Sequence, residues 1–124
     1  MVRGLLGKKV GMTQIFDKDG NMVPVTVVEA GPCYILELKN SPLKVTLGFG
    51  EAKESRLNKA RLGFFKKNNL KPVKMVCEFE AKDIKDYQVG QEIKVDLFQA
   101  GDFVDVTGTS IGKGFQGGMK RWGW

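Results

Sequence analysis

Apolar residues in this chain recur with period two, in short runs cut apart by glycine, proline and asparagine. Val23, Val25 and Val27 alternate with Pro24, Thr26 and Val28. Leu43, Val45, Leu47 and Phe49 alternate with Lys44, Thr46 and Gly48. Val73, Met75, Cys77 and Phe79 alternate with Lys74, Val76, Glu78 and Glu80, and Ile93, Val95 and Leu97 with Lys94, Asp96 and Phe98. Successive side chains of a strand point to opposite faces, so each run predicts a strand with one face in a core. Residues 2–16 predict one or two more strands, bent at Gly7 or Gly11. Asp17-Lys18-Asp19-Gly20-Asn21 reads as a hairpin loop with Gly20 at positive φ. Ala30-Gly31-Pro32, Asn40-Ser41-Pro42, Val89-Gly90-Gln91 and Ala100-Gly101-Asp102 read as turns. Pro24 cannot donate to a ladder and is expected at a sheet edge or a strand start. About seven short strands at near-regular spacing point to a small closed barrel or a sandwich.

One segment breaks the period. In Leu57–Asn68, Asn58 can cap a helix, and Leu57, Arg61, Phe64 and Phe65 fall at helical offsets. Lys66 and Lys67 suit the negative end of the helix dipole, and Asn68 or Asn69 ends it. The Phe64-Phe65 pair is expected in the core rather than as a stacking platform. Residues 82–87 are expected to add a helical turn.

The 124 residues are one domain's worth, and 42% of them are hydrophobic, enough for a core. No apolar run approaches the roughly 20 residues of a membrane helix. Histidine is absent, which removes histidine triads, histidine metal sites and the usual general base near neutral pH. Cys33 and Cys77 lie far apart and make neither a zinc site nor a disulfide framework; both are expected as small buried residues in a reducing compartment. The apolar start at residues 1–6 meets Lys8-Lys9 too soon for a signal peptide, so the expectation is a soluble intracellular protein.

Charge is distributed in blocks. The net charge is +6, but residues 51–75 alone carry eight bases against two acids. Residues 76–105 carry three bases against eight acids, and residues 106–124 carry three bases and no acid. Separated blocks on a basic chain suggest one face aimed at a polyanion and another turned away.

From Gly108 to Trp124 there are six glycines, two tryptophans, one phenylalanine, Lys113, Lys120 and Arg121, with no strand or helix period. Such a segment cannot pack itself, and its aromatics would be wasted in a flexible linker. It reads as a nucleic-acid arm ordered by something outside the chain. Glycines let backbone amides approach phosphates, and Lys113, Lys120 and Arg121 supply charge. Phe115, Trp122 and Trp124 can stack on unpaired bases, and Gln116 can bond to base or sugar edges. A bland alternative is a glycine-rich hairpin whose aromatics cover one end of the barrel.

Gly112-Lys113-Gly114-Phe115-Gln116-Gly117 matches G-x-G-x-x-G, but no βαβ unit surrounds it and no acid follows at the required spacing. The Walker pattern fails on spacing and lacks its Ser or Thr. The acids at Glu78, Glu80, Asp83, Asp86, Glu92 and Asp96 form no pair in an apolar pocket, so no carboxylate catalysis is indicated. Taken alone, Lys8-Lys9 and Lys66-Lys67 read as solvated charges.

Gly4-Leu5-Leu6-Gly7-Lys8-Lys9-Val10-Gly11-Met12-Thr13-Gln14-Ile15-Phe16 resembles the opening of the universal large-subunit ribosomal protein L3 family in its bacterial form. The stretches at 23–33 and 47–50 are similar to the same family. So is Val104-Asp105-Val106-Thr107-Gly108-Thr109-Ser110 leading into residues 112–117 and Lys120-Arg121. The resemblance runs along essentially the whole chain. It implies a mainly β fold, a small six-stranded barrel like that of translation factors, with one short helix and an irregular basic extension. The barrel is expected over 1–107 and the start of the extension over 108–124. It implies no enzymatic activity, no metal and no cofactor. The implied function is that of a structural constituent of the large ribosomal subunit, binding its RNA toward the peptidyl-transferase region. Neighbouring large-subunit proteins are further expected partners. The family continues past the position of Trp124 and returns to the barrel, so the sequence is expected to be the first part of a longer protein. Where Trp122 stands, relatives often carry histidine.

The expected RNA-contact set is Lys8, Lys9, Lys66, Lys67, Lys113, Phe115, Gln116, Lys120, Arg121 and Trp122. Its expected location is the ribosome, in the cytoplasm or an organelle, with no membrane and no small-molecule substrate. Two rivals compete: a protein-binding barrel with a docking tail, and a small nucleotide-dependent enzyme built on residues 112–117.

Overall fold

The computed structural model describes residues 2–124. The chain is mainly β. Its strands are β1 (Gly7–Phe16), β2 (Met22–Ala30), β3 (Cys33–Asn40), β4 (Leu43–Glu51), β5 (Val73–Glu80) and the short β6 (Glu92–Ile93). Helix α1 spans Lys59–Lys67, and a five-residue helix α2 spans Gly118–Trp122. Among the described residues the six strands divide into a two-stranded ribbon, β1-β2, and a four-stranded antiparallel sheet of order β5-β4-β3-β6. Among the described residues no strand ladder joins the two, so the hydrogen bonding does not close them into one ring. The N-terminal segment bridges them instead. Val2 pairs with Ala81, the amide of Arg3 donates to the Glu80 carbonyl at 3.3 Å, and Gly31 donates to Leu6 at 3.2 Å.

The ribbon follows its turn chemistry. Asp17 accepts hydrogen bonds from the amides of Asp19 (2.9 Å) and Asn21 (2.8 Å), and Gly20 takes φ 80°. These bonds hold the Asp17 carboxyl below the usual carboxylate range. Of residues 2–16, Gly7–Phe16 form a single strand, and Val2 makes only an isolated bridge. The irregularity sits between Lys9 and Gly11, where the register shifts by one residue, as a β-bulge requires. Pro24 lies opposite Gln14 in a ribbon with a free outer edge, where its missing donor costs no ladder bond.

The core lies on both sides of β4. Val45, Leu47 and Phe49 pack with Ile35, Cys33, Val2, Ile84 and Ile93 on one face. On the other, Leu36, Phe65 and Val73 form a second cluster. The expectation of one buried face per strand therefore fails for β4, because α1 covers the second. Adjacent Ile35 and Leu36 on β3 point to opposite faces, and both are buried because each face is covered, Ile35 in the first cluster and Leu36 in the second. Gly48 sits under that second cluster: a Cβ there would meet Val73 Cγ2 at 2.6 Å.

Other expectations shift. β3 was not marked by alternation. The run at 93–97 gives only the two residues of β6 followed by a 3-10 turn at Val95–Leu97. Residues 82–87 hold a hydrogen-bonded turn from Tyr87 to Ile84 rather than helix. Cys33 is buried, but Cys77 is exposed, because β5 is an edge strand and nothing covers that stretch of its face. Burial pushes the Cys33 thiol up, opposed by its hydrogen bond to the Leu6 carbonyl at 3.4 Å.

Candidate nucleic-acid interface

The C-terminal segment leaves the sheets after the Ala100–Asp102 turn. Residues 103–117 hold no helix or strand, and no backbone hydrogen bond ties residues 103–124 to the sheets among the described residues. Its apolar groups meet solvent: Phe103, Val106, Ile111 and Phe115 are essentially fully exposed. An apolar series of this kind on a folded protein marks a surface that meets a partner.

The tail is not irregular throughout. Met119, Lys120 and Arg121 favour helix, and α2 closes with Arg121 donating to the Gly117 carbonyl and Gly123 to Met119, each at 3.0 Å. Gly123 at φ 71° ends it. One helical turn thus gathers Lys120, Arg121 and Trp122. The Arg121 guanidinium carbon lies 5.5 Å from the centre of the exposed Trp122 ring, a cation–π arrangement. Trp124 folds back on Gly118, so it is partly engaged within the tail. Lys113 and Phe115 are exposed, and Gln116 is half-buried. This segment combines stacking surface, donors and uncompensated positive charge, the features that bind unpaired nucleic acid.

The other expected contacts lie elsewhere. Lys66 and Lys67 occupy the last turn of α1 and are exposed. This helix starts as the sequence indicates: the Arg61 amide donates to Asn58 Oδ1 at 2.9 Å. It stops where Asn69 takes φ 52° and Leu70 donates back to the Phe65 carbonyl at 2.9 Å. Phe65 is buried and Phe64 meets it edge-to-face at 5.6 Å, so the pair is core. Lys8 and Lys9 are exposed on β1. Lys8 borders an open groove of about 600 Å³ with Glu29, Tyr34, Phe49, Glu51 and Lys74. Two carboxylates among two lysines make that groove mixed in sign, a poor seat for a polyanion.

Lys66 and Lys67 are only two of the eight cations in the basic block. All eight cations of residues 51–75 are exposed. Among the described residues none has a carboxylate within ion-pair distance. The sheet behaves oppositely: Arg3 pairs with Glu80 at 3.8 Å, and Glu78 pairs with Lys39 and, at 3.7 Å, Lys44. The signal was the segment's charge, which no single motif carries.

No group of histidine, cysteine or carboxylate side chains that could hold a metal occurs among the described residues. Among the described residues no helix is long and apolar enough to cross a membrane.

Residues 51–124 match the family model of ribosomal protein L3. The large ribosomal subunit protein uL3 of Carboxydothermus hydrogenoformans is 53% identical over 127 aligned residues, covering 99% of this chain and 61% of that protein. Its namesakes in Brachyspira hyodysenteriae and Brachyspira pilosicoli are each 50% identical over 122 residues, covering 95% of this chain and 56% of theirs. The chain thus spans less than two thirds of the length of these relatives.

Proposed function

The chain belongs to the ribosomal protein L3 family, a structural and non-enzymatic component of the ribosome, and from that membership we propose that it binds large-subunit ribosomal RNA as part of the large ribosomal subunit. The observation that carries this reading is the exposed tail. Residues 106–124 hold three cations, no acid and three aromatic rings, and no backbone hydrogen bond joins them to the sheets among the described residues. Lys113, Lys120 and Arg121 neutralise phosphates, Phe115 and Trp122 stack on bases, and Gln116 reads an edge. Ordering such a segment costs conformational entropy, which phosphate neutralisation and stacking offset on binding.

The same reading makes 1–107 the anchoring domain, part of a six-stranded translation-factor-like barrel, and 108–124 the start of an RNA-binding extension directed toward the peptidyl-transferase region. Lys8, Lys9, Lys66 and Lys67 are further contacts, and neighbouring large-subunit proteins are further partners. The exposed apolar faces of the ribbon favour a protein surface at that end of the molecule.

Titration against large-subunit ribosomal RNA and an unrelated RNA, across salt concentrations, tests the proposal. The expected result is tight binding to the ribosomal RNA that weakens steeply with salt. Replacing Lys113, Lys120 and Arg121 together with Ala flattens that dependence by about three in log–log slope. An unchanged slope removes the tail as the contact, and salt-insensitive affinity for a protein favours the docking module instead.

A further inference from the structure

Helix α1 carries a residue that the fold itself does not require. Gly63 lies at mid-helix, has no positive φ, and a Cβ built on it would meet nothing within 4 Å. Glycine weakens a helix interior relative to alanine, so neither geometry nor packing accounts for it. Its surroundings supply a reason. At 3.6 residues per turn, Lys59, Gly63, Lys66 and Lys67 share an arc of about 100°, centred roughly 150° from the buried Phe65. The three lysines are exposed and form no ion pair among the described residues. Ala60, beside them, is exposed as well. The result is a cationic face with a low centre: long ammonium-bearing arms around a bare stretch of helix backbone.

We propose that this face of α1 is a second RNA seat, in which the sugar–phosphate backbone lies across Gly63 and the Nζ atoms of Lys59, Lys66 and Lys67 neutralise phosphates on either side. The inference rests on the RNA-binding reading above and adds a site distinct from the tail. Lysine is a flexible point charge without the planar fork that matches one oxyanion geometry, so the seat takes RNA backbone of any sequence. It supplies affinity and orientation, while the tail's aromatics and Gln116 supply discrimination. Charge complementarity chooses the occupant: the eight cations of residues 51–75 face two acids.

Gly63→Ala and Gly63→Gln in the full chain separate structure from binding, because both residues favour helix more than glycine does. Each is expected to raise Tm, by about 3 °C for alanine. Each is also expected to weaken binding to large-subunit ribosomal RNA, alanine by about fivefold and the longer glutamine by more. A substitution that stabilises the fold and harms binding is not what a structural glycine gives. The triple change Lys59→Ala, Lys66→Ala, Lys67→Ala should lower affinity for ribosomal and unrelated RNA alike and reduce the salt slope by about three. Unchanged affinity in the Gly63 variants overturns the close approach. An unchanged slope in the lysine variant, with the tail variant still flattening its own, overturns the seat and leaves the tail reading standing. Loss of binding to a ribosomal protein with RNA affinity intact assigns the face to protein and also overturns it. Absence of RNA binding by the unaltered chain overturns both readings.

Discussion

The β1-β2 ribbon and the β3–β6 sheet are written in the same alternating code and end in opposite environments. On β4 the run from Val45 to Phe49 is buried. On β1 and β2, Val10, Met12, Ile15, Phe16, Val27 and Val28 are all exposed. Hydrogen bonding does not explain the contrast, since both regions have antiparallel ladders, each interrupted by a single register shift. The sheet has a helix on one face and the N-terminal segment on the other, whereas the ribbon has two faces and no layer against either. A two-stranded hairpin is marginal by itself because it buries little. Alternation therefore specifies a strand, and a second layer decides whether its apolar side becomes core.

The contrast can be broken most directly by truncation. Leu47→Ala in the sheet is expected to cost about 2–5 kcal/mol, because it opens a cavity in a buried cluster. Val10→Ala in the ribbon is expected to cost less than about 1 kcal/mol. Denaturant unfolding of both variants measures the difference. Equal costs would mean that the ribbon is buried in solution, against a second copy or another part of the protein.

The two cysteines sharpen the comparison within the sheet. Cys33, at the centre, is buried with a raised thiol, and Cys77 is exposed on edge strand β5. Alkylation should modify Cys77 at once and Cys33 about a hundredfold more slowly, since Cys33 reacts only on opening. Mass spectrometry of partly labelled protein reads the order directly. Fast labelling of both thiols would show that the sheet opens as readily as the ribbon.

The smallest expected effect is electrostatic. Glu78 on β5 reaches Lys39 on β3 and Lys44 on β4, a tie across the sheet for which the ribbon has no counterpart among the described residues. The hydrogen bond from Lys39, with the charges of both lysines, holds the Glu78 carboxyl below the usual carboxylate range. The folded pKa is the lower one, so the contribution is complete above the unfolded carboxylate value of about 4.3 and fades as pH falls through the folded value. The stability gap between the protein and Glu78→Gln should be small and constant from about pH 6 to 8, and should close in acid. A gap that persists to about pH 3 would show that the side chain acts through packing rather than charge.

Much of the site was legible because its signals are local. The cap at Asn58, the stop near Asn69 and the buried Phe64-Phe65 pair depend on neighbours within a helical turn or on helical spacing. The tail's composition alone marked it as a segment that cannot build a core. The helical turn that gathers Lys120, Arg121 and Trp122 was not legible, because six glycines mask a short run of helix formers capped by Gly123. The cationic face of α1 was also missed at residue level, although the charge of residues 51–75 was plain. A charge block becomes a face only once the helix phase is known, and Phe65 sets that phase by entering the second core cluster.

The sequence by itself determined the strand-rich class, the hairpin at Asp17–Asn21, the position and ends of α1, and the separation of a basic middle and tail from an acidic stretch. These follow from side-chain period, turn residues and charge, all properties of residues close in the chain. Only the tertiary structure decided that β4 buries both faces, that Cys77 stays exposed, that β3 joins Leu36 and Ile35 to opposite clusters, and that the ribbon stands apart. Each depends on which distant segment lies against a surface. Burial is a property of pairs of surfaces, and a period in one strand carries no information about what covers it.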